Sequence, residues 1–169
     1  TYLQKSSYKA YLSNSLAMWK AVENKAAEQY KQNEKDLQAL YNLTEIQYGL
    51  LNACIANQNE EIFNKYLPEA KNNVDTLLKY NPEWSAAHAL KAGILSSEMA
   101  FSPSKGMFLG PKSSAHIEKS IKYDEQEPMG WIQMGGSKLH TPKMFGGSIE
   151  EAIRSYEKAV NLYESDSIQ

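Results

Sequence analysis

The chain has 169 residues, 42% of them hydrophobic, with 18 basic and 20 acidic residues and a net charge of −2. That length suits one domain with a self-supporting core, and no apolar run approaches the roughly 20 residues of a membrane-spanning helix. The near balance of charge leaves no bulk field that would draw nucleic acid or an acidic membrane. Within it, the first 35 residues carry six lysines against three glutamates, which reads as the solvated face of an exposed helix. The single cysteine, Cys54, sits in the apolar stretch LLNACIAN and reads as an inert buried thiol. A chain without an internal disulfide fits the cytoplasm, and equally an exported bacterial protein that needs none. The sequence starts at Thr1 without methionine, so the expectation is that something upstream was removed or never built, with a signal peptide or lipoprotein leader as one option. That would place the protein in a bacterial periplasm or envelope; otherwise it is cytoplasmic.

Tyr8, Tyr11, Leu12, Leu16, Trp19, Val22 and Ala26 recur every three or four residues and predict one amphipathic helix over about 5–32. Leu37, Leu40, Tyr41, Thr44, Tyr48, Leu51 and Ile55 continue the period in a second helix to about 57. A third pattern runs to Tyr80 but contains Pro68, which predicts either a kink near Leu67 or a fresh helix starting there. Asn81-Pro82 ends it, and an alanine-rich fourth helix spans Trp84 to Ala100. FSPSKGMFLGPKSS then reads as a loop over 102–112, long for a helix–helix connection. Helices follow from Ser113 to Tyr123 and, opened by Pro128, from Met129 to Leu139. A second loop over 140–148 leads to a last helix, signed by Ser148 and Glu151 as a capping box. Nothing alternates with period two for long enough to make a strand, so the fold class is all-α.

A pattern of small, bulky and small or apolar residues recurs three times, at Ala70/Val74/Leu77, Ser113/Ile117/Ser120 and Ala152/Tyr156/Ala159. Its first members are 43 and 39 residues apart, the signature of stacked helical hairpins. Three hairpins, over about 36–80, 83–123 and 127–164, follow a leading helix in one domain over 1–169. Aligning their first helices puts Tyr48, His88 and Trp131 in one column, and Ala53, Gly93 and Gly136 in another. Trp131 followed by Met134-Gly135, then Ala152, Tyr156 and Ala159, with Asn81-Pro82 closing the first hairpin, resemble the tetratricopeptide repeat family over roughly residues 40–164. The repeats here are longer than that family's 34 or so residues. The family's glycine is Asn52 and Ala92 in the first two copies, and Ser113 and Ser120 stand where alanines are usual. The two loops look like those of exported members from Bacteroidetes. The resemblance implies a right-handed superhelix whose first helices line a concave side, and a binding scaffold without chemistry of its own.

The motifs that could carry chemistry fail on spacing. GMFLGPKSS has three residues between its glycines and Pro111 before Lys112, where a phosphate-binding loop needs four and a lysine directly after the glycine. The serines of both GGS strings follow their glycines instead of standing between them, so neither forms a nucleophile elbow. His88, His116 and His140 lie far apart in sequence and share no ligand spacing with Cys54. Gly146-Gly147 before Ser148 could offer amides to an anion, but Glu150 and Glu151 repel one, and a tight turn explains the glycines. Glu60-Glu61 and Glu150-Glu151 are adjacent, diverge on a helix and cannot share a substrate. The expectation is therefore no enzyme, no metal and no cofactor.

The leading functional reading is a scaffold that holds a protein or peptide in the concave groove, with Tyr48, Trp84, His88 and Trp131 on its first helices as contacts. The alternative is an envelope-associated protein that binds or helps transport a small ligand, its extended loops closing a pocket. Met107 and Phe108 are further candidate contacts, but with Leu109 they are expected to fold back as an apolar plug. On that reading the two loops pack together, and Phe108 or Phe145 is mostly buried.

Overall fold

The computed structural model describes residues 1–166, and among them there are eight α-helices, two short 3-10 turns and no strand. The fold is all-α. The expected leading helix is two, α1 (Tyr2–Ser13) and α2 (Leu16–Gln32). Asn14 takes the left-handed conformation at φ 48°, and the Ser15 hydroxyl accepts from the Met18 amide to start α2. Apolar periodicity runs through that break undisturbed, which is why spacing alone reads one helix.

α3 (Leu37–Ala56) is capped by Asp36, whose carboxylate accepts from the amides of Gln38 and Ala39. α4 (Glu60–Tyr80) continues through Pro68, so no fresh helix starts there. Asn64 and Pro68 are both exposed, so water can replace the donor that proline removes from the Asn64 carbonyl.

α5 (Ser85–Phe101) is the most enclosed element, buried along nearly its whole length. The expected loop over 102–112 is largely helix. A 3-10 turn, Pro103–Lys105, leads directly into α6 (Gly106–Tyr123), which absorbs Gly106, Gly110 and Pro111. Most donors of a helix's first turn have no intrahelical partner in any sequence. The poor helix formers therefore cost least where they lie, at an exposed N-terminal extension.

α7 (Pro128–His140) begins on a proline at its first position, with the Glu127 carboxylate accepting from Met129. The second loop is a loop, carrying a 3-10 turn at Lys143–Phe145. Gly146 takes φ +95°, and a Cβ at Gly147 would overlap the Thr141 carbonyl oxygen, so both glycines are set by the turn. α8 (Ile149–Asp166) is capped by Ser148, which accepts from Glu151. The capping box is half made: the Ser148 amide donates to Lys138 O, and Glu151 pairs with Lys138 instead.

α3 packs on α4, α5 on α6 and α7 on α8, while α3, α5 and α7 also meet in sequence. Ser97 on α5 donates to Asn52 on α3, and four residues earlier Gly93 lies against Tyr48. The equal steps show that α3 and α5 run in parallel. Gly93 also meets Gln133 of α7, and Gly130 meets Ser120, whose hydroxyl bonds Ser85 at the start of α5. α7 therefore points the same way, and the tips of all three hairpins lie at one end.

The core runs between the helix layers. Phe63, Leu50, Leu51, Val74, Leu90 and Ile94 are its heart, with Trp19 and Val22 of α2 closing the N-terminal side. Polar links are few and complete. Gln47 of α3 donates to Glu23 of α2 and accepts from Asn73 of α4. Glu98 is buried and accepts from Lys71 at 2.7 Å and Lys105 at 2.8 Å. Burial alone would raise its pKa, but the two lysine hydrogen bonds outweigh burial and hold it below the ordinary carboxylate range.

Candidate functional site

The parallel first helices expose one aromatic face. Trp84, at the N-cap of α5, stacks on Tyr41 of α3 with ring centroids 5.2 Å apart and planes 20° from parallel. Beside them the Tyr48 hydroxyl accepts from Gln133 Nε2 at 3.0 Å, across the backbone of Gly93. Trp131 is half-buried and donates its indole N–H to the Glu125 carbonyl at 2.8 Å. The structural column is thus Tyr48, Gly93 and Gln133, not Tyr48, His88 and Trp131. Each helix starts at a different distance from its neighbour's end, so equal sequence steps do not carry over into equal heights.

Acid groups rim this face. Tyr41 and Glu45 of α3, Glu127 at the head of α7 and Tyr163 of α8 lie within electrostatic reach of one another. Glu45 remains reachable by water yet is walled by protein; that burial, then the charge of Glu127, raises its carboxyl above the usual range. Burial first, and then the two carboxylates, push the Tyr41 and Tyr163 hydroxyls up as well. The result is a face with a stacked aromatic pair and a border of hydroxyls and carboxyls. Sequence spacing does not point to Tyr41, Glu45, Glu127 or Gln133, because they come from two helices, α3 and α7, separated by more than a repeat.

His88 belongs elsewhere. It is 3% exposed, with Nε2 2.8 Å from the Pro82 carbonyl and Nδ1 2.8 Å from His116 Nδ1. The carbonyl can only accept, so His88 carries its proton on Nε2, and His116 must donate from Nδ1. Far apart in sequence, these two histidines are in contact, and Tyr123 stacks on His88 from the other side. Burial is the main cause holding both pKa values down, that of His116 to about 4. His88 is therefore a core group, with both ring nitrogens engaged and none left for a partner.

The apolar plug is not there. Met107 and Phe108 are 82% and 71% exposed, and Met144 and Phe145 are 83% and 72% exposed. Space around the tips is open: a Cβ added at Gly106, Gly110 or Gly146 would meet nothing within 4 Å. Phe108 rides outward on the first turns of α6, and the turn of Lys143–Phe145 is too short to fold back on α7. No group of three potential metal ligands occurs among the described residues, and no described helix is long and apolar enough to cross a membrane.

No family model matches this chain, and no curated protein matches it in sequence. In fold it is similar to the HusA haemophore from Porphyromonas gingivalis, with a TM-score of 0.75 at 17% identity, over 98% of this chain and 81% of that one. That likeness covers the whole helical architecture, from α1 through α8.

Proposed function

We propose that the protein is a non-enzymatic carrier of a small, flat, apolar ligand of the porphyrin class, working in a bacterial envelope. The observation that carries this reading is the Tyr41–Trp84 stack, an aromatic pair left partly exposed between α3 and α5. A fold shared with a haemophore, a haem carrier by its name, supports the same class of ligand. Binding sites for small molecules are concave and mostly apolar, with few polar groups to set orientation. If the hairpins stack as tetratricopeptide repeats do, the first helices that carry this face would line the concave side. Glu45 and Glu127 repel acid groups at their edge, so a ligand's carboxylates must point away from them.

Titration with haem tests this. A saturable change in the visible absorption band is expected, with quenching of tryptophan fluorescence, at one equivalent per chain. Trp84→Ala should weaken it about tenfold or more, as loss of a central aromatic contact does. Absence of any saturable change would overturn the reading.

A second reading keeps the same face for a peptide, and the paired carboxylates Glu45 and Glu127 favour it. A basic peptide with an aromatic anchor would then bind on that face, and added salt would weaken it. Competition between that peptide and haem separates the two readings.

A further inference from the structure

The two hairpin tips are apolar where the molecule projects furthest from its own core. We propose that the Met107-Phe108 and Met144-Phe145 tips form a two-pronged dock for an anionic lipid bilayer surface. Four large apolar side chains, each more than 70% exposed, stand on the tips of consecutive hairpins at one end of the fold. Exposed apolar clusters of this kind mark interaction sites. Their shape argues against a small ligand: the tips are convex, with open space around their glycines, whereas small-molecule sites enclose their ligand.

Charge decides between the remaining occupants. Residues 102–117 contain Lys105 and Lys112 and no acidic residue, and residues 138–149 contain Lys138, Lys143 and His140 and again none. Within these two segments of a chain with a net charge of −2 the charged side chains are all basic. Three acids near their ends are paired, Glu98 with Lys71 and Lys105, Glu150 with Arg154 and Glu151 with Lys138. Lys105 and Lys138 are tied at the base of each tip to Glu98 and Glu151. Lys112 and Lys143 form no ion pair among the described residues, and in sequence they follow Phe108 by four residues and precede Phe145 by two. Apolar wedges ringed by lysine suit a surface with anionic headgroups above hydrocarbon, where each basic group near the surface adds to the attraction. Rigid bases fit the same role: the Glu98 carboxylate joins α4, α5 and the first tip, and Lys138 joins α7 to the second.

The test is cosedimentation of the full chain with vesicles of equal parts phosphatidylglycerol and phosphatidylcholine, against vesicles of phosphatidylcholine alone. Binding to the anionic vesicles should be at least about tenfold stronger and should fall with salt. The double variant Phe108→Glu/Phe145→Glu should lose about tenfold or more of that binding while melting like the parent. Lys112→Gln/Lys143→Gln should erase the preference for anionic vesicles. Haem titration of the first variant separates this proposal from the ligand reading, and it should be unchanged from the parent. The proposal is overturned if the parent ignores both vesicles, if the Phe variant binds as the parent does, or if that variant loses haem instead. Failure of the parent to bind haem would sink the carrier reading and leave the vesicle result standing.

Discussion

Gly93 shows what a single atom does in this stack. A Cβ there would come within 2.7 Å of Tyr48 Cζ and 2.8 Å of Gln133 Nε2, so Gly93→Ala must push apart the hydrogen-bonded pair that joins the first and third hairpins. Overpacking of this kind costs about 1–3 kcal/mol, and urea denaturation should show it. A melt equal to the parent's would mean that the two side chains move aside freely. The sequence marks Gly93 as one of a column of small residues, but not what it lies against, since close approach is set by how far each helix slides past the next. Phe108 and Phe145 make the complementary point. Bulky apolar residues beside glycine read as a plug because burial is their usual fate, yet only the turn geometry decides which way they face. With both exposed, Phe108→Ala and Phe145→Ala should each change stability by under about 0.5 kcal/mol. A loss of several kcal/mol on thermal denaturation would restore the plug.

Among the helices, α5 and α6 are joined by the histidine pair, and that joint is sensitive to acid. The fold holds the pKa values of His88 and His116 below their ordinary 6.5, His116 at about 4. The folded state therefore favours the neutral rings. Their contribution is whole above pH 6.5 and is lost as pH falls from there toward 4. Protonating both rings would also set two N–H groups against each other at the 2.8 Å contact. Lys91 and Lys119 add to the repulsion at His116, and Asp75 opposes it. Glu23 and Glu45, raised by burial, act the other way over the lower part of the same range, so the parent alone does not isolate the pair. Comparison with His116→Gln does: the parent should lose on the order of 2 kcal/mol more than the variant between pH 6.5 and 4. Parallel pH profiles would contradict this. Helix existence was legible in the sequence from apolar spacing, and so was the all-α class. The breaks were not, since Asn14 interrupts a helix without interrupting its pattern, while Gly106 and Pro111 extend one despite poor propensity. Local propensity yields wherever a helix end is exposed and its lost hydrogen bonds go to water.

At the scale of the molecule, the recurrence near forty residues anticipated the stacking of hairpins, because each hairpin repeats one burial problem. The aromatic face did not follow from that recurrence. Its parts, Tyr41 and Trp84 with Glu45, Glu127, Gln133 and Tyr163, come together only because helices far apart in sequence pack side by side. The carrier reading rests on that face, and nuclear magnetic resonance of the labelled chain with an iron-free porphyrin tests it most directly. The account predicts that the indole signals of Trp84 and Trp131 and the amides around Tyr41, Tyr48 and Gln133 shift on addition, saturating at one equivalent, while the 105–112 and 143–147 tips stay still. Shifts confined to those tips, or none that saturate, would contradict it.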